Sequence, residues 1–154
     1  LFRQWKLDNV LYYVRYNDNI FRFNYINYEE GTITMIKVEK TAKTLDEGIK
    51  NLMAGAKLDY SKWATLGGKE LTGYAKEQVE LWDSKTKVMP GKKYIKIVQD
   101  TGVFCFIAKE DFKHFKKGDI LKAAGYNAPA LNSARGNVLT GNYAIQWTGP
   151  LYLK

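Results

Sequence analysis

Hydrophobic and polar residues alternate at every second position near the start of the chain. Two such runs lie at residues 12–16 (Tyr-Tyr-Val-Arg-Tyr) and 21–25 (Phe-Arg-Phe-Asn-Tyr), and a third candidate strand covers residues 32–39. Residue types that favour turns separate them, Asn-Asp-Asn at 17–19 and Glu-Gly at 30–31. The pattern predicts a three-stranded antiparallel meander.

Two helices are predicted next. Thr44 and Glu47 have the spacing of a capping box, in which the two side chains satisfy backbone N–H groups at the start of a helix. Apolar residues then recur on one face, at Ile49, Leu52, Met53 and Ala56. This helix is expected to end near Lys57. A second helix is predicted over residues 69–84, after Gly67-Gly68, with Trp82 in the core rather than in a ligand site.

A second β region is predicted after Pro90-Gly91. Strands over residues 94–99 and 103–109 flank a turn at residues 100–102, and shorter strands are expected at 119–124, 142–147 and 151–153. Between them, Asn127 and Pro129 have the residue types of an N-cap and a first helical turn. A short helix is therefore expected there.

The order of these elements predicts an α+β fold: an antiparallel meander, two helices, and then a second antiparallel β region. The length of 154 residues suits one hydrophobic core, and neither a long linker nor an internal repeat divides the sequence. We therefore expect a single domain over residues 1–154, with subregions 1–88 and 89–154 that meet near Pro90.

Composition narrows the class of protein. With three prolines and 26% charged residues, the chain has the make-up of an ordinary globular protein, and its apolar runs are far shorter than the roughly 20 residues that cross a bilayer. No membrane association is expected. The single cysteine, Cys105, excludes an internal disulfide and is expected as a small buried side chain in a strand, in a reducing compartment.

Positive charge is concentrated in the second half of the chain. Residues 1–88 hold 14 basic and 12 acidic residues, a net charge of +2, whereas residues 89–154 hold 10 and 4, a net charge of +6. Such asymmetry favours contact with a polyanion, although a lysine-rich solvated surface gives the same count. The candidate nucleic-acid-binding residues are Lys92, Lys93, Lys96, Lys116, Lys117, Lys122 and Arg135.

Enzyme chemistry finds little support in the sequence. One histidine and one cysteine are too few for the usual tetrahedral zinc sites, and no phosphate-binding or dinucleotide-binding glycine motif is present, so we expect no metal and no cofactor. His114, among lysines, is expected at the surface. Glu77, Glu80 and Asp83 have the residue types of a divalent-metal nuclease, but their spacing is more typical of an exposed helix face.

Aromatic residues interleaved with lysines offer a stronger case for binding, because bases stack on exposed rings while lysines meet phosphates. The strand pair at 94–98 and 102–107 has this composition. Phe104 and Phe106 share one face of a strand, however, so burial in the core is the alternative for both.

The C-terminal pattern is the most distinctive part of the sequence: Gly118-Asp119-Ile120-Leu121-Lys122-Ala123-Ala124, Ala128-Pro129-Ala130, Ala134-Arg135-Gly136-Asn137 and Gly149-Pro150-Leu151-Tyr152-Leu153. From Tyr94 onward it resembles the end of small uncharacterised proteins encoded by bacteriophages. The resemblance implies a viral origin and carries no functional residues with it. The Arg135-Gly136-Asn137 tripeptide is interpreted either as the end of a short helix or as a basic tip that binds an anion.

These observations predict a non-enzymatic phage or viral protein. It would serve as a structural or interaction component of a virion or other large assembly, with a basic face near nucleic acid. The alternative is a dedicated nucleic-acid-binding accessory protein, and the third candidate is a divalent-metal nuclease. The expected partners are other protein chains and DNA or RNA, in the virion or in the cytoplasm of an infected host cell.

Overall fold

A computed structural model describes residues 3–6, 11–16, 19–27, 34–65 and 70–153, with side chains described from Ile36 onward. Three helices and several antiparallel sheets make it a mixed α+β structure, as the sequence predicts.

The first sheet contains the predicted meander, which is confirmed. Its strands are β1 (Arg3–Lys6), β2 (Leu11–Tyr16), β3 (Asn19–Asn27), β4 (Thr34–Val38) and β11 (Tyr143–Ile145), all antiparallel and in the order β1-β2-β3-β4-β11. Alternation did not reveal β1, and β11 comes from the other end of the sequence. The turns expected at 17–18 and 30–31 lie outside the described residues.

Helix α1 (Leu45–Ala64) begins where predicted but ends seven residues later than predicted. The hydroxyl of Thr44 accepts a hydrogen bond from the Glu47 N–H at 3.1 Å, whereas the Glu47 carboxylate accepts from the Lys43 N–H at 3.2 Å rather than from Thr44. Lys57 does not end the helix because it is itself buried, and buried positions continue to Ser61. A helix that is covered on nearly every side gains packing free energy along its whole length.

The single second helix predicted over 69–84 is wrong in detail. The structure has α2 (Gly73–Glu80) and α3 (Trp82–Lys85), with Leu81 between them. Ser84 Oγ donates to the Leu81 carbonyl at 2.8 Å, which gives that acceptor a side-chain partner at the break. Trp82 is 4% exposed, so its placement in the core is confirmed. Residues 66–69, which include the glycine pair, lie outside the described residues.

The second sheet confirms the predicted hairpin. Its strands are β5 (Thr86–Pro90), β6 (Tyr94–Gln99), β7 (Gly102–Ala108) and β8 (Ile120–Leu121), antiparallel and in that order. Asp100 opens the β6–β7 turn with a φ of +58°, a left-handed conformation that Asp tolerates. Cys105 on β7 is fully buried, as expected.

The segment after β8 departs most from the prediction. The helix expected at Asn127 is wrong, since β9 (Ala123–Gly125) and β10 (Ala128–Pro129) form a small hairpin instead. A proline has no N–H to donate and is tolerated at such a strand end. Gly136 does not follow a helix either: its φ is +137°, and a Cβ there would overlap Tyr143 Cβ.

The last strand predicted, over 151–153, does not form. Two backbone carbonyls at the start of this segment accept hydrogen bonds from side chains instead of from a neighbouring strand: Lys122 donates to Pro150 and Arg135 donates to Leu151. The strand expected at 142–147 is confirmed in its middle as β11.

Helix α1 lies in a core to which both subregions contribute. Ile36 and Val38 of the first sheet, and Ile97 and Ile107 of the second, belong to the same buried cluster as α1 residues such as Leu52. A second, smaller cluster of Phe106, Phe115 and Leu121 covers the other face of the second sheet. Within the described chain, no helix combines the length and apolarity needed to cross a membrane.

Candidate functional site

Three of the seven predicted basic residues line one groove. Lys92 and Lys93 are exposed in the turn between β5 and β6, and Lys96 lies on β6. The groove has a volume of about 510 Å³ and also includes Tyr94 and Asn127. We call it the lysine groove; its remaining lining is Met89, Pro90, Gly91 and Phe106.

Local contacts hold the lysine groove in place. The Lys96 Nζ lies 3.5 Å from the centroid of the Tyr126 ring and 3.4 Å from Asn127 Oδ1. Such a cation–π contact positions the ammonium group without neutralising it. Lys109 Nζ donates to the Gly91 carbonyl at 3.0 Å and so ties β7 to the turn that carries Lys92 and Lys93. Among the described residues that line the groove, none is acidic.

Lys116 and Lys117 lie beside carboxylates and do not line the groove. Lys116 Nζ is 3.7 Å from Asp111 Oδ2, and the Lys117 N–H donates to Asp111 Oδ1 at 2.8 Å. The Lys116 N–H donates to Asp119 Oδ2 at 2.8 Å. Because Asp111 and Asp119 lie within contact distance, the positive field of this loop is partly offset.

Lys122 and Arg135 hold the C-terminal segment. Lys122 Nζ donates to the Pro150 carbonyl at 2.8 Å and lies 3.9 Å from the centroid of the Tyr152 ring, while Arg135 Nε donates to the Leu151 carbonyl at 3.1 Å. Burial lowers the pKa of Lys122, and the nearby guanidinium lowers it further. Burial also lowers the pKa of Arg135. Both side chains therefore fix the C-terminal segment to the rest of the fold.

The proposed anion-binding tip at residues 135–137 is occupied by internal contacts. Arg135 Nη1 donates to Asn132 Oδ1 at 2.7 Å. Asn137 Nδ2 donates to the Lys117 carbonyl at 2.8 Å, and its Oδ1 accepts from the Leu139 N–H at 2.8 Å. The tripeptide thus joins neighbouring loops to one another.

The residues considered for enzyme chemistry are dispersed. His114 is exposed, with Nε2 2.8 Å from the Asn132 carbonyl. Glu77 and Glu80 are exposed on α2, and Asp83 Oδ2 lies 3.4 Å from Lys57 Nζ. Burial raises the pKa of Asp83 and lowers that of Lys57. Over the described ranges, no three His, Cys, Asp or Glu side chains come together in a way that could hold a metal ion.

A second cavity, which sequence reasoning missed, is walled by aromatic rings. It has a volume of about 370 Å³ and lies where α1, α2, α3, the β6–β7 hairpin and the turn after β11 meet. We call it the aromatic pocket; its rings are those of Tyr60, Trp63, Tyr74, Trp82, Phe104 and Trp147. Trp63 is 53% exposed and Tyr74 is 73% exposed, whereas Tyr60 and Trp82 are buried.

Tyr60 is the hub of these rings. Its centroid is 5.9 Å from that of Trp63, 6.0 Å from that of Trp82 and 5.2 Å from that of Trp147. Trp63 and Trp147 also contact each other, at 5.2 Å and an interplanar angle of 40°. Burial raises the pKa of Tyr60, and the neighbouring Tyr74 raises it further. The exposed Trp63 ring is therefore supported from two sides.

Polar groups surround the rings. Gln78 Oε1 accepts a hydrogen bond from Lys85 Nζ at 2.8 Å, and Gln99 Nε2 donates to the Trp82 carbonyl at 3.3 Å. Asp100 and Thr148 complete the polar part of the lining. The Trp82 indole N–H is buried and has no hydrogen-bond partner within the described structure.

One local signal for the aromatic pocket is present in the sequence. Tyr60 and Trp63 are three residues apart, which places them on one helix face, but only if α1 continues beyond Lys57. Trp147 cannot be assigned to this site from spacing. The tertiary fold brings it against Tyr60, and its backbone N–H donates to Asp59 Oδ2 at 2.8 Å across 88 residues of sequence.

No protein-family model, curated protein or solved structure matches this chain.

Proposed function

We propose that this protein is a non-enzymatic binding protein that contacts nucleic acid through the lysine groove, as a component of a viral or phage assembly. The gathering of Lys92, Lys93 and Lys96 around one open groove, whose described lining contains no carboxylate, carries the proposal. Phosphate contacts of this kind supply most of the sequence-independent affinity for nucleic acid.

The ring next to the groove favours a single strand over a duplex. Tyr126 is 55% exposed, and Lys96 Nζ lies over one face of its ring, so the exposed part of the ring stands beside the ammonium group. Single strands have unpaired bases that stack on such rings while their phosphates meet lysines. The proposal therefore rests on these three lysines and Tyr126, and not on the other four basic residues.

The test is fluorescence anisotropy with a labelled mixed-sequence single-stranded oligonucleotide over a series of salt concentrations. The double variant Lys92→Ala/Lys93→Ala removes two exposed charges from the groove, and Lys116→Ala/Lys117→Ala removes two exposed charges elsewhere. We expect the groove variant to reduce the slope of log affinity against log salt by about 1 to 2, since each phosphate contact on a single strand contributes about 0.7. The control variant should change the slope much less.

Equal losses in the two double variants would show that only net charge matters and would overturn the assignment to the groove. Binding that does not respond to salt in the unmodified protein would overturn the nucleic-acid function altogether.

The edge strand β5 favours a second candidate function, assembly of copies of this chain. Among the described strands β5 pairs only with β6, and Val88 and Met89 on it are 44% and 47% exposed. Unpaired strand edges with apolar side chains recruit further strands. Sedimentation velocity should then show concentration-dependent association that Val88→Lys abolishes. Thr101→Lys, which adds the same charge in an exposed turn, should preserve it; a wild-type monomer at every concentration would contradict this function.

A further inference from the structure

The aromatic pocket has the size and composition of a small-molecule site. Ligand pockets typically enclose about 300 to 1,000 Å³, with mainly apolar and aromatic walls and a few polar groups that fix orientation. The pocket fits this description, with a volume of about 370 Å³, six aromatic rings and a polar margin that includes Gln78, Gln99 and Asp100.

The exposed Trp63 ring is preorganised for contact. An exposed Trp normally has free rotamers, but here Tyr60 and Trp147 support the ring at centroid distances of 5.9 Å and 5.2 Å. A ligand that stacks on Trp63 therefore loses little affinity to ordering of the side chain.

The angles between the rings determine whether a flat or a non-flat ligand fits the pocket. Trp63 is inclined by 40° to both Tyr60 and Trp147, and Tyr60 is inclined by 79° to Trp147. None of these pairs forms a parallel slot that sandwiches a planar base. One exposed ring without a parallel partner suits a ligand that has one C–H face and a thick, polar edge.

The polar margin favours hydroxyl groups over charged groups. Gln78 Oε1 accepts from Lys85, and Gln99 accepts from Thr86 Oγ1 and donates to the Trp82 carbonyl. Because an amide oxygen accepts two hydrogen bonds and an amide nitrogen donates two, both side chains keep capacity for a sugar hydroxyl. Lys85 and Asp100 give the lining one positive and one negative charge, so it offers no net attraction to a phosphate or to a quaternary ammonium ion.

We propose that the aromatic pocket binds a neutral saccharide, with the C–H face of a pyranose ring stacked on Trp63 and its hydroxyl groups hydrogen-bonded to Gln78, Gln99 and Asp100. The negative face of an aromatic ring attracts the weakly positive C–H groups of the sugar. The site is separate from the lysine groove and does not depend on the nucleic-acid function.

Isothermal titration calorimetry tests the proposal with a panel of neutral oligosaccharides: cellotetraose, maltotetraose and a tetramer of N-acetylglucosamine. We expect at least one of them to saturate the protein at concentrations up to about 10 mM. Trp63→Ala should weaken that binding by about tenfold or more, and Trp63→Phe, which keeps a ring, should restore part of it.

Tyr126→Ala is the matched control, because Tyr126 is as exposed as Trp63 and does not line the pocket. It should leave the saccharide affinity unchanged. Adenosine monophosphate and choline are titrated in parallel, and saturation by either one without a saccharide would overturn the proposal in favour of a base or a cation site. If no saccharide in the panel saturates the protein, the proposal is also overturned.

Nucleic-acid binding at the lysine groove and saccharide binding at the aromatic pocket can be tested independently. Trp63→Ala should not alter the salt slope for the oligonucleotide, and Lys92→Ala/Lys93→Ala should not alter the saccharide affinity. Loss of both activities in either variant, with unchanged far-ultraviolet circular dichroism, would show that the pocket and the groove are parts of one site and would contradict two separate sites.

Discussion

At the scale of single residues, Asp59 shows how burial sets chemistry. The side chain is 6% exposed on α1, and its Oδ2 accepts the Trp147 N–H at 2.8 Å. Burial raises the pKa of Asp59 to about 6, although the hydrogen bond from Trp147 and the charge of Lys62 lower it. Asp59 therefore links the aromatic pocket to the core at a cost in stability when it is ionised.

The raised pKa predicts how stability depends on pH. Between the ordinary value of 3.8 and about 6, the folded protein binds more protons than the unfolded chain, so the contribution of Asp59 to stability falls as pH rises through this window. The fall amounts to about 2 to 3 kcal/mol, at 1.36 kcal/mol for each unit of pKa. Asp59→Asn keeps an acceptor for the backbone N–H of Trp147 and removes the titration. In this variant, the free energy of urea unfolding should no longer fall by this amount between pH 4 and pH 7.

Asp46→Asn serves as the control for Asp59, because Asp46 lies on the same helix and its side chain is 75% exposed. It should leave the pH dependence close to that of the unmodified protein. Parallel stability curves for Asp59→Asn and the wild type would rule out the titration assigned to Asp59.

At the scale of elements, α1 is the part of the chain that both sheets use. Its start is set by local hydrogen bonds at Thr44 and Glu47, and its position is set by a close approach of Gly48 to Val138. A Cβ on Gly48 would lie 2.7 Å from the Val138 carbonyl oxygen, a backbone atom that cannot turn aside. Glycine at this position lets α1 approach the loop before β11.

Gly48→Ala is predicted to destabilise the protein despite the higher helix propensity of alanine. Overpacking of this kind typically costs about 1 to 3 kcal/mol. Gly125→Ala is the matched control, since a Cβ there would meet nothing within 4 Å, and we expect a change within about 0.5 kcal/mol. Chemical denaturation of both variants measures the difference, and equal stabilities would contradict the close approach.

Thr44→Ala tests the start of the helix. Loss of the hydrogen bond from the Glu47 N–H should reduce the free energy of unfolding by about 1 kcal/mol. Thr44→Ser, which retains a hydroxyl, should recover most of that loss in thermal or urea unfolding. If serine is no better than alanine, the cap does not stabilise α1.

At the scale of the whole molecule, β11 joins the two halves of the sequence. Its residues pair with β4, with Tyr143 opposite Val38 and Ile145 opposite Ile36, and the side chains enter the same core as α1. The C-terminal part of the chain thus completes a sheet that the N-terminal part begins.

Ile145→Ala should therefore destabilise both halves together. Ile145 is 1% exposed, and truncation of such a side chain typically costs about 2 to 4 kcal/mol. Tryptophan fluorescence and far-ultraviolet circular dichroism should report one coincident, shifted urea transition. Leu153→Ala, at a residue that is 50% exposed, should shift it little. Two separated transitions would instead indicate that the halves unfold independently.

Particular residues show which elements local sequence patterns predict and which they do not. Alternation and turn residues predicted β2, β3 and β4, the start of α1 at Thr44 and the β6–β7 hairpin, because each depends on neighbours in sequence. The same patterns predicted that α1 ends at Lys57 and that a helix begins at Asn127. Both errors arise because contacts with distant residues override local preference: Lys57 is covered by the core, and Asn127 lies in a turn between paired strands.

The sequence by itself determined the mixed α and β composition, the excess of positive charge after Val88 and the elements whose residues repeat with a clear period. Only the tertiary structure decided that Lys92, Lys93 and Lys96 share a groove while Lys122 and Arg135 bind backbone carbonyls. It alone brought Trp63 against Trp147. The physical reason is that periodicity reports which side of an element is apolar, whereas the partner of each side chain depends on how distant segments pack.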